Sequence, residues 1–201
     1  MDKHIILAAL TICVVGCTEP ASDWSEEEKA LINDSNDVMR VLTVDNHEDS
    51  LILRSAAFWL SEDDLRSKEY KRLAEKMVAT VTSPEQDGVG IAGPQVGISR
   101  RIVAVQRFDK EGEPFEVYPN ISITAAHGKM VPGPEGCLSV PGKRGEVRRY
   151  QDIDIKYTCT ENMCDTTEHI TGYTAVIFQH EVDHLVGSIY TDKADSVSVA
   201  E

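Results

Sequence analysis

The chain is short of basic residues: 20 Lys and Arg stand against 34 Asp and Glu, a formal net charge of −14. A surface this acidic repels phosphate backbones, which argues against a general DNA- or RNA-binding role. No run of 18 apolar residues occurs, so no segment is long enough to serve as a membrane-spanning helix. Internal repeats and low-complexity blocks are missing as well, and with them repeat architectures. Apolar residues at 41% and charged residues at 27% exclude wholesale disorder and a collagen-like chain. What remains is one domain's worth of sequence. Its 201 residues can bury roughly 70% of the unfolded surface without staples.

The first segment reads differently from the rest. Met1 to Cys17, MDKHIILAALTICVVGC, places Lys3 before an apolar run from Ile5 to Val15 and ends in Gly16-Cys17. That is the layout of an export signal, and VVGC resembles a bacterial lipoprotein cleavage box in which the Cys becomes the lipid-bearing first residue. Residues 18–38 are polar and acidic and read as a tether with a short helical piece around Glu26 to Leu31. The globular domain is expected over 39–191, with 192–201 as a polar tail. Two locations stay open. A genuine signal gives a membrane-anchored protein lipidated on Cys17, whereas a true start near Met39 gives a cytoplasmic one.

Within the domain, Tyr70, Leu73, Met77, Val78 and Val81 recur at three- and four-residue spacing, which predicts a helix over 67–82 with that stripe on the core, stopped by Pro84. Strands are expected at 101–106, 115–118, 121–124 and 153–157, and a further short one at 188–191. Residues 41–54 carry short extended runs at most, and 131–144, rich in Pro and Gly, are expected to be irregular. Residues 171–185 are apolar on several faces, the mark of a buried helix, with Thr171 as cap and Gly187 as terminator. Cys159 and Cys164 flank the turn of a hairpin that could carry a disulfide in an exported protein; two free thiols are equally allowed. Few helices and many short strands indicate α+β.

Three segments carry chemistry. His180-Glu181-Val182-Asp183-His184 is HExxH on the second long helix. Spacing of i, i+4 puts both imidazoles on one face, able to reach one divalent ion, with the Glu beside the open coordination position as proton carrier. No His follows His184, so the usual downstream third ligand has little sequence to come from. Cys137, in GPEGCLSV, is a candidate for that place; a nucleophilic or merely buried Cys competes with it. Gly88-Val-Gly-Ile-Ala-Gly-Pro-Gln95 is a glycine-rich loop. It lacks the Lys-Ser/Thr pair of a P-loop and the following helix of a dinucleotide fold. Its glycines permit close approach to a ligand, and Gln95 could aim an amide at an oxyanion.

Together, Gly88–Gln95, Glu135-Gly-Cys-Leu-Ser139 and Gln179–His184 resemble the three motifs of the peptide deformylase family, in that family's order and spacing. Weaker similarity extends from about Met39 to Tyr190. The resemblance implies an antiparallel α+β fold around the HExxH helix, and a hydrolase that removes formate from N-formyl-methionine on newly made polypeptides. It implies that Cys137, His180 and His184 hold the metal, usually Fe(II), with Zn(II), Ni(II) or Co(II) as substitutes. By the same resemblance Glu181 is the general acid and base, and Gln95 and the Leu138 N–H polarise the formyl oxygen. Val89, Tyr173, Val176 and Ile177 line the methionine pocket, Arg144 lies on the peptide side, and backbone around Gly90 and Ile91 pairs with an extended substrate. The implied partners are N-formyl-methionyl peptides, including nascent chains near the ribosome, and no DNA; the implied state is a monomer, tethered to membrane only if Cys17 is lipidated. Two departures stand out. The family usually has Ala at the place of Gly93, and Tyr173 and Ile177 stand where smaller or different apolar groups are common.

Overall fold

The computed structural model describes residues 24–199; the Met1–Cys17 segment and residues 18–23 lie outside them. Four helices come first: α1 (Glu26–Ile32), α2 (His47–Leu53), α3 (Glu62–Arg66) and α4 (Lys68–Val81). Each begins at a Ser or Asn whose side chain accepts a backbone N–H three residues on: Ser25, Asn46, Ser61 and Ser67. Such caps let helices as short as these start where the sequence dictates. The strands follow: β1 (Gly90–Ala92), β2 (Ile102–Gln106), β3 (Phe115–Pro119), β4 (Ser122–Ala126), β5 (Met130–Cys137), β6 (Val140–Tyr150), β7 (Asp152–Cys159) and β8 (Cys164–Thr171). Helix α5 (Gly172–His184) and strand β9 (Ser196–Val199) complete the order.

The strands form three antiparallel three-stranded sheets, β1-β2-β3, β4-β7-β8 and β5-β6-β9. The α+β expectation holds. Strand β2 explains how the layers stack. Ile102 and Ala104 join the cluster built on Leu73, Met77 and Val81 of α4. Val103 and Val105 join the cluster built on Ala175, Ile177 and Phe178 of α5. Alternation thus commits one face of the strand to each helix, and a strand buried on both faces reads as a continuous apolar run. Ile153, Ile155 and Ile170 bring the second sheet onto α5 in the same cluster. Fully burying a side chain such as Phe178 stabilises the fold by roughly 1.5–3 kcal/mol.

Several expectations need correction. Residues 131–144 are not irregular: they form most of the β5/β6 hairpin. Pro132 and Pro134 fit there because β5 is an edge strand, so a missing N–H costs no ladder bond on its open side. Residues 41–54 contain helix α2, which Asn46 starts and buried Leu53 anchors. Residues 188–191 run into a 3-10 turn, Tyr190–Asp192, rather than a strand. The polar tail contains β9, whose Ser196 to Val199 pair with Glu146 to Lys143 of β6. Residues 24–38, read as part of a tether, pack onto the domain: Trp24 and Ile32 are buried in the α4 cluster, and Glu28 pairs with Arg100 at 2.8 Å. Thr171 occupies the N-cap position of α5 but makes no side-chain cap bond. Cys159 and Cys164 stand directly opposite each other across β7 and β8, and both are free thiols. Among the described residues no helix is long and apolar enough to cross a membrane.

Candidate active site

Three elements converge on one cavity of about 430 Å³. Strand β5 loses register with β6 between Gly136 and Cys137. This bulge shifts Cys137, which pairs with Val140 at the hairpin tip, and re-aims its side chain towards the last turn of α5. There its Sγ lies 3.3 Å from Nε2 of His184. The sulfur and one nitrogen each of His180 and His184 all fall within 4.8 Å of one another. The imidazoles stand one helical turn apart, with ring centroids separated by 5.2 Å.

The orientation of His180 is fixed from behind. Its Nδ1 lies 2.8 Å from Oε2 of Glu135, which leaves Nε2 for the cluster. Glu135 in turn accepts two bonds from Arg149, at 2.7 and 3.0 Å, and Arg149 also reaches Asp183 at 2.6 Å. Lys193 closes the chain onto Asp183 at 2.6 Å. Burial would raise the Glu135 carboxyl, but the bonds from His180 and Arg149 outweigh it and hold the group down at about 2. Glu135, Arg149 and Asp183 were not singled out from the sequence. Glu135 lies inside a quoted motif and Asp183 inside HExxH, but their partnership depends on strand register.

Charge is distributed to suit a cation. Burial opposes ionisation of Cys137, yet His184 and His180 beside it hold the thiol well below its ordinary range. A thiolate closing on two imidazoles is the donor set of an open three-ligand metal site. Beside this cluster, Oε2 of Glu181 is buried with no hydrogen-bond partner, a sign that a polar group belongs against it. Glu181 is 4% exposed, and burial pushes its carboxyl up to about 7 against the pull of His180 and His184.

Opposite α5, β1 and the 3-10 turn Gly93–Val96 supply the other wall. A Cβ on Gly90 would stand 2.5 Å from Oε1 of Glu181 and 2.9 Å from Ile177, so only glycine lets the strand approach the catalytic helix. The Gln95 amide is oriented at both ends. Its Oε1 accepts the Ala92 N–H at 2.8 Å, and its Nε2 donates to Ser139 Oγ at 3.2 Å and faces Cys137 Sγ at 3.6 Å. Gly93 has no room for the family's usual Ala: a Cβ would lie 2.7 Å from the carbonyl oxygens of both Arg100 and Ile98.

The structure brings nearly all the expected residues to this cavity. Val89, Gly90, Gln95, Cys137, Leu138, Arg144, Tyr173, Val176, Ile177, His180 and Glu181 line it. His184 lies just beneath, 1% exposed. Ile91 is the exception, since its side chain is buried in the α4 cluster and only its backbone belongs to β1. Tyr173 is half exposed at the rim and packs on Phe108 with ring centroids 5.4 Å apart.

Comparisons with known proteins point to one family. The polypeptide deformylase family model matches residues 38–199. A peptide deformylase of Leptospira biflexa is 35% identical over 169 residues, covering 81% of this chain and 90% of the relative. Peptide deformylase 2 of a Nostoc species is 37% identical over 150 residues, 72% of this chain and 81% of its own. Among solved structures, the Met-Ala-Ser-bound class I type b peptide deformylase of Acinetobacter baumannii superposes with a TM-score of 0.68 at 36% identity, over 78% of this chain and 98% of that one. The Thermotoga maritima peptide deformylase gives a TM-score of 0.68 at 30% identity, over 79% and 99%.

Proposed function

This chain belongs to the polypeptide deformylase family and removes the formyl group from N-terminal methionine, and from that premise we propose a role for each residue of the site. Cys137, His180 and His184 would hold the ion, and we assign Fe(II) as the native one, with Zn(II), Ni(II) or Co(II) as substitutes. The donor set suits Zn(II) at least as well by intrinsic affinity, so availability decides which ion fills it. When bound, such an ion supplies Lewis acidity and makes water a better nucleophile near neutral pH.

The chain's own groups do the rest. An N-formyl-methionyl peptide lies along β1. Among the described residues that strand pairs only with β2, which leaves its other edge to take an extended chain through the backbone of Gly90 and Ile91. Val89, Val176, Ile177 and Tyr173 enclose the methionine side chain, and Arg144 flanks the peptide beyond it. Glu181 takes a proton from the attacking water as its oxygen bonds to the formyl carbon. The Gln95 amide and the Leu138 N–H donate to the formyl oxygen as charge develops there; one such donor contributes about 3–4 kcal/mol in comparable sites. Glu181 then delivers the proton to the α-nitrogen as the C–N bond breaks, leaving formate and a free amine.

The observation that carries these roles is the convergence of Glu181, Gln95 and the Cys137/His180/His184 cluster on one cavity. The test is formate release from formyl-Met-Ala-Ser. Glu181→Ala is expected to lower turnover by about 10²–10⁴-fold with metal content unchanged; full activity in that variant would remove Glu181 from the mechanism. Lys3, the apolar run from Ile5 to Val15 and the VVGC ending support a lipid anchor on Cys17. Intact-mass analysis of the native protein is expected to show a lipidated Cys17 as first residue, and a species beginning at Met39 would overturn it. Burial of Trp24 and Ile32 supports a folded chain that extends upstream of Met39.

A further inference from the structure

A second convergence of ligating side chains lies away from the cavity, on the outer face of the β4-β7-β8 sheet. Strand β7 turns Ile153 and Ile155 inward, buried in the α5 cluster, so Asp152 and Asp154 point outward by alternation. The register sets His169 of β8 directly opposite Asp154. On the other side His127 follows β4, tied by its N–H to the Asp152 carbonyl at 2.8 Å. Three adjacent strands thereby place two imidazoles on either side of one carboxylate. His127 Nε2 is 3.0 Å from one Asp154 oxygen, and His169 Nδ1 is 2.8 Å from the other. Asp152 Oδ1 stands 3.3 Å from His169 Nε2 and makes no hydrogen bond. The donor atoms of His127, Asp154 and His169 lie within 4.8 Å of one another, and none of these residues lines the catalytic cavity.

We propose that His127, Asp154 and His169 form a second, surface site for a borderline divalent cation such as Zn(II). Two imidazole nitrogens and a carboxylate oxygen are a donor set such ions accept, with the remaining positions open to water. Antiparallel sheet holds the three Cα positions fixed, so ordering the site needs only side-chain rotation. Asp152 is placed behind His169 as the carboxylate that commonly orients a ligating imidazole. The site is independent of the deformylase reading, because it shares no residue with the catalytic cluster.

The experiment uses the full chain at fixed free Zn(II) in equilibrium dialysis, with metal counted per chain. Wild type is expected to hold one equivalent more than the His127→Ala/His169→Ala variant, and both are expected to release formate at the same rate, which also certifies that the variant is folded. Asp154→Asn, which keeps the shape and removes the charge, is expected to lose the same equivalent. A measurement on wild type needs no variant: diethylpyrocarbonate labelling of His127 and His169 should slow by about tenfold at Zn(II) ten times its dissociation constant, while exposed His47 stays reactive. Equal Zn(II) counts in wild type and variants, or unprotected imidazoles, would make the cluster a surface ion-pair array and overturn the proposal.

Discussion

Arg149 and Arg107 are both buried, and each gathers carboxylates from distant parts of the chain. Arg149 holds Glu135 and Asp183. Arg107 holds Asp109, Glu116 and Glu168, and also bonds the Tyr118 hydroxyl. Chemically the two are alike, since a buried guanidinium needs paired charge and satisfied N–H groups. They differ in what stands at the far end. Glu135 passes its second interaction to His180, a member of the metal cluster. The partners of Arg107 line no part of the cavity; they fasten the end of β2 to β3 and β8. One network orients a reacting centre and the other joins sheets, so equal damage should give unequal consequences.

The largest expected effects come from deleting each guanidinium. Arg149→Leu strands the buried Glu135 carboxylate and should cost about 3–5 kcal/mol of stability, whereas Arg107→Leu leaves only partly exposed carboxylates and should cost less, about 1.5–3 kcal/mol, both read by urea denaturation. Metal content should separate them. The folded Arg107→Leu protein is expected to keep its metal and its formate release per folded molecule, while Arg149→Leu loses both. Equal retention of metal in the two would break the comparison.

A milder change tests the link itself. Glu135→Gln keeps the side-chain size but cannot anchor the imidazole with a full charge. Such supporting partners typically account for 10–100-fold in metal affinity, so competition with a chelator should show a loss of about that size. The matching change on the other network, Glu168→Gln, should leave metal affinity where it was.

How much of this was legible in the sequence follows from what each feature depends on. The α4 stripe depends on local periodicity, which Leu73, Met77 and Val81 display directly, and α5 on local composition, apolar on several faces. The residues that line the candidate site were legible because their motifs are local and ordered along the chain. What could not be read depends on partners far apart. Pro132 and Pro134 look like breakers until β5 is known to be an edge. The segment Ser196 to Val199 looks like tail until β6 offers it a ladder. Glu135, Arg149 and Asp183 meet only through hairpin register and the docking of α5, and His127 reaches His169 only across β7. Gly93 departs from the family because two carbonyls crowd its missing Cβ, a constraint no spacing reveals.

Acid reaches both networks, since Glu135 and Asp109 are each held down at about 2, and Asp109 tests the Arg107 side. The bond from Arg107 is the main cause that holds Asp109 down at about 2, from an ordinary 3.8. Because the folded value is the lower one, its contribution is fully present above pH 3.8 and is lost as pH falls through about 2; Asp109 is solvent-exposed, so screening holds the amount to about 1 kcal/mol or less. Stability measured from pH 5 to pH 2 should therefore fall less steeply in Asp109→Asn than in wild type. Parallel curves would mean that the Arg107–Asp109 pair is not the source.

The smallest effect is expected at the solvent end of the Arg149 network. Lys193 donates to Asp183 at 2.6 Å, but its side chain is 44% exposed. An ion pair in that setting is screened and must hold a long side chain still, so it contributes about 0–1 kcal/mol. Asp183 keeps its bond to Arg149 when Lys193 is removed, and Glu135 is untouched. Lys193→Met should consequently shift the denaturation midpoint little and leave metal affinity and formate release unchanged. A loss of metal in this variant would mean that orientation of His180 is transmitted through the whole chain from Lys193, and that the supporting network extends to the surface rather than ending at the buried guanidinium.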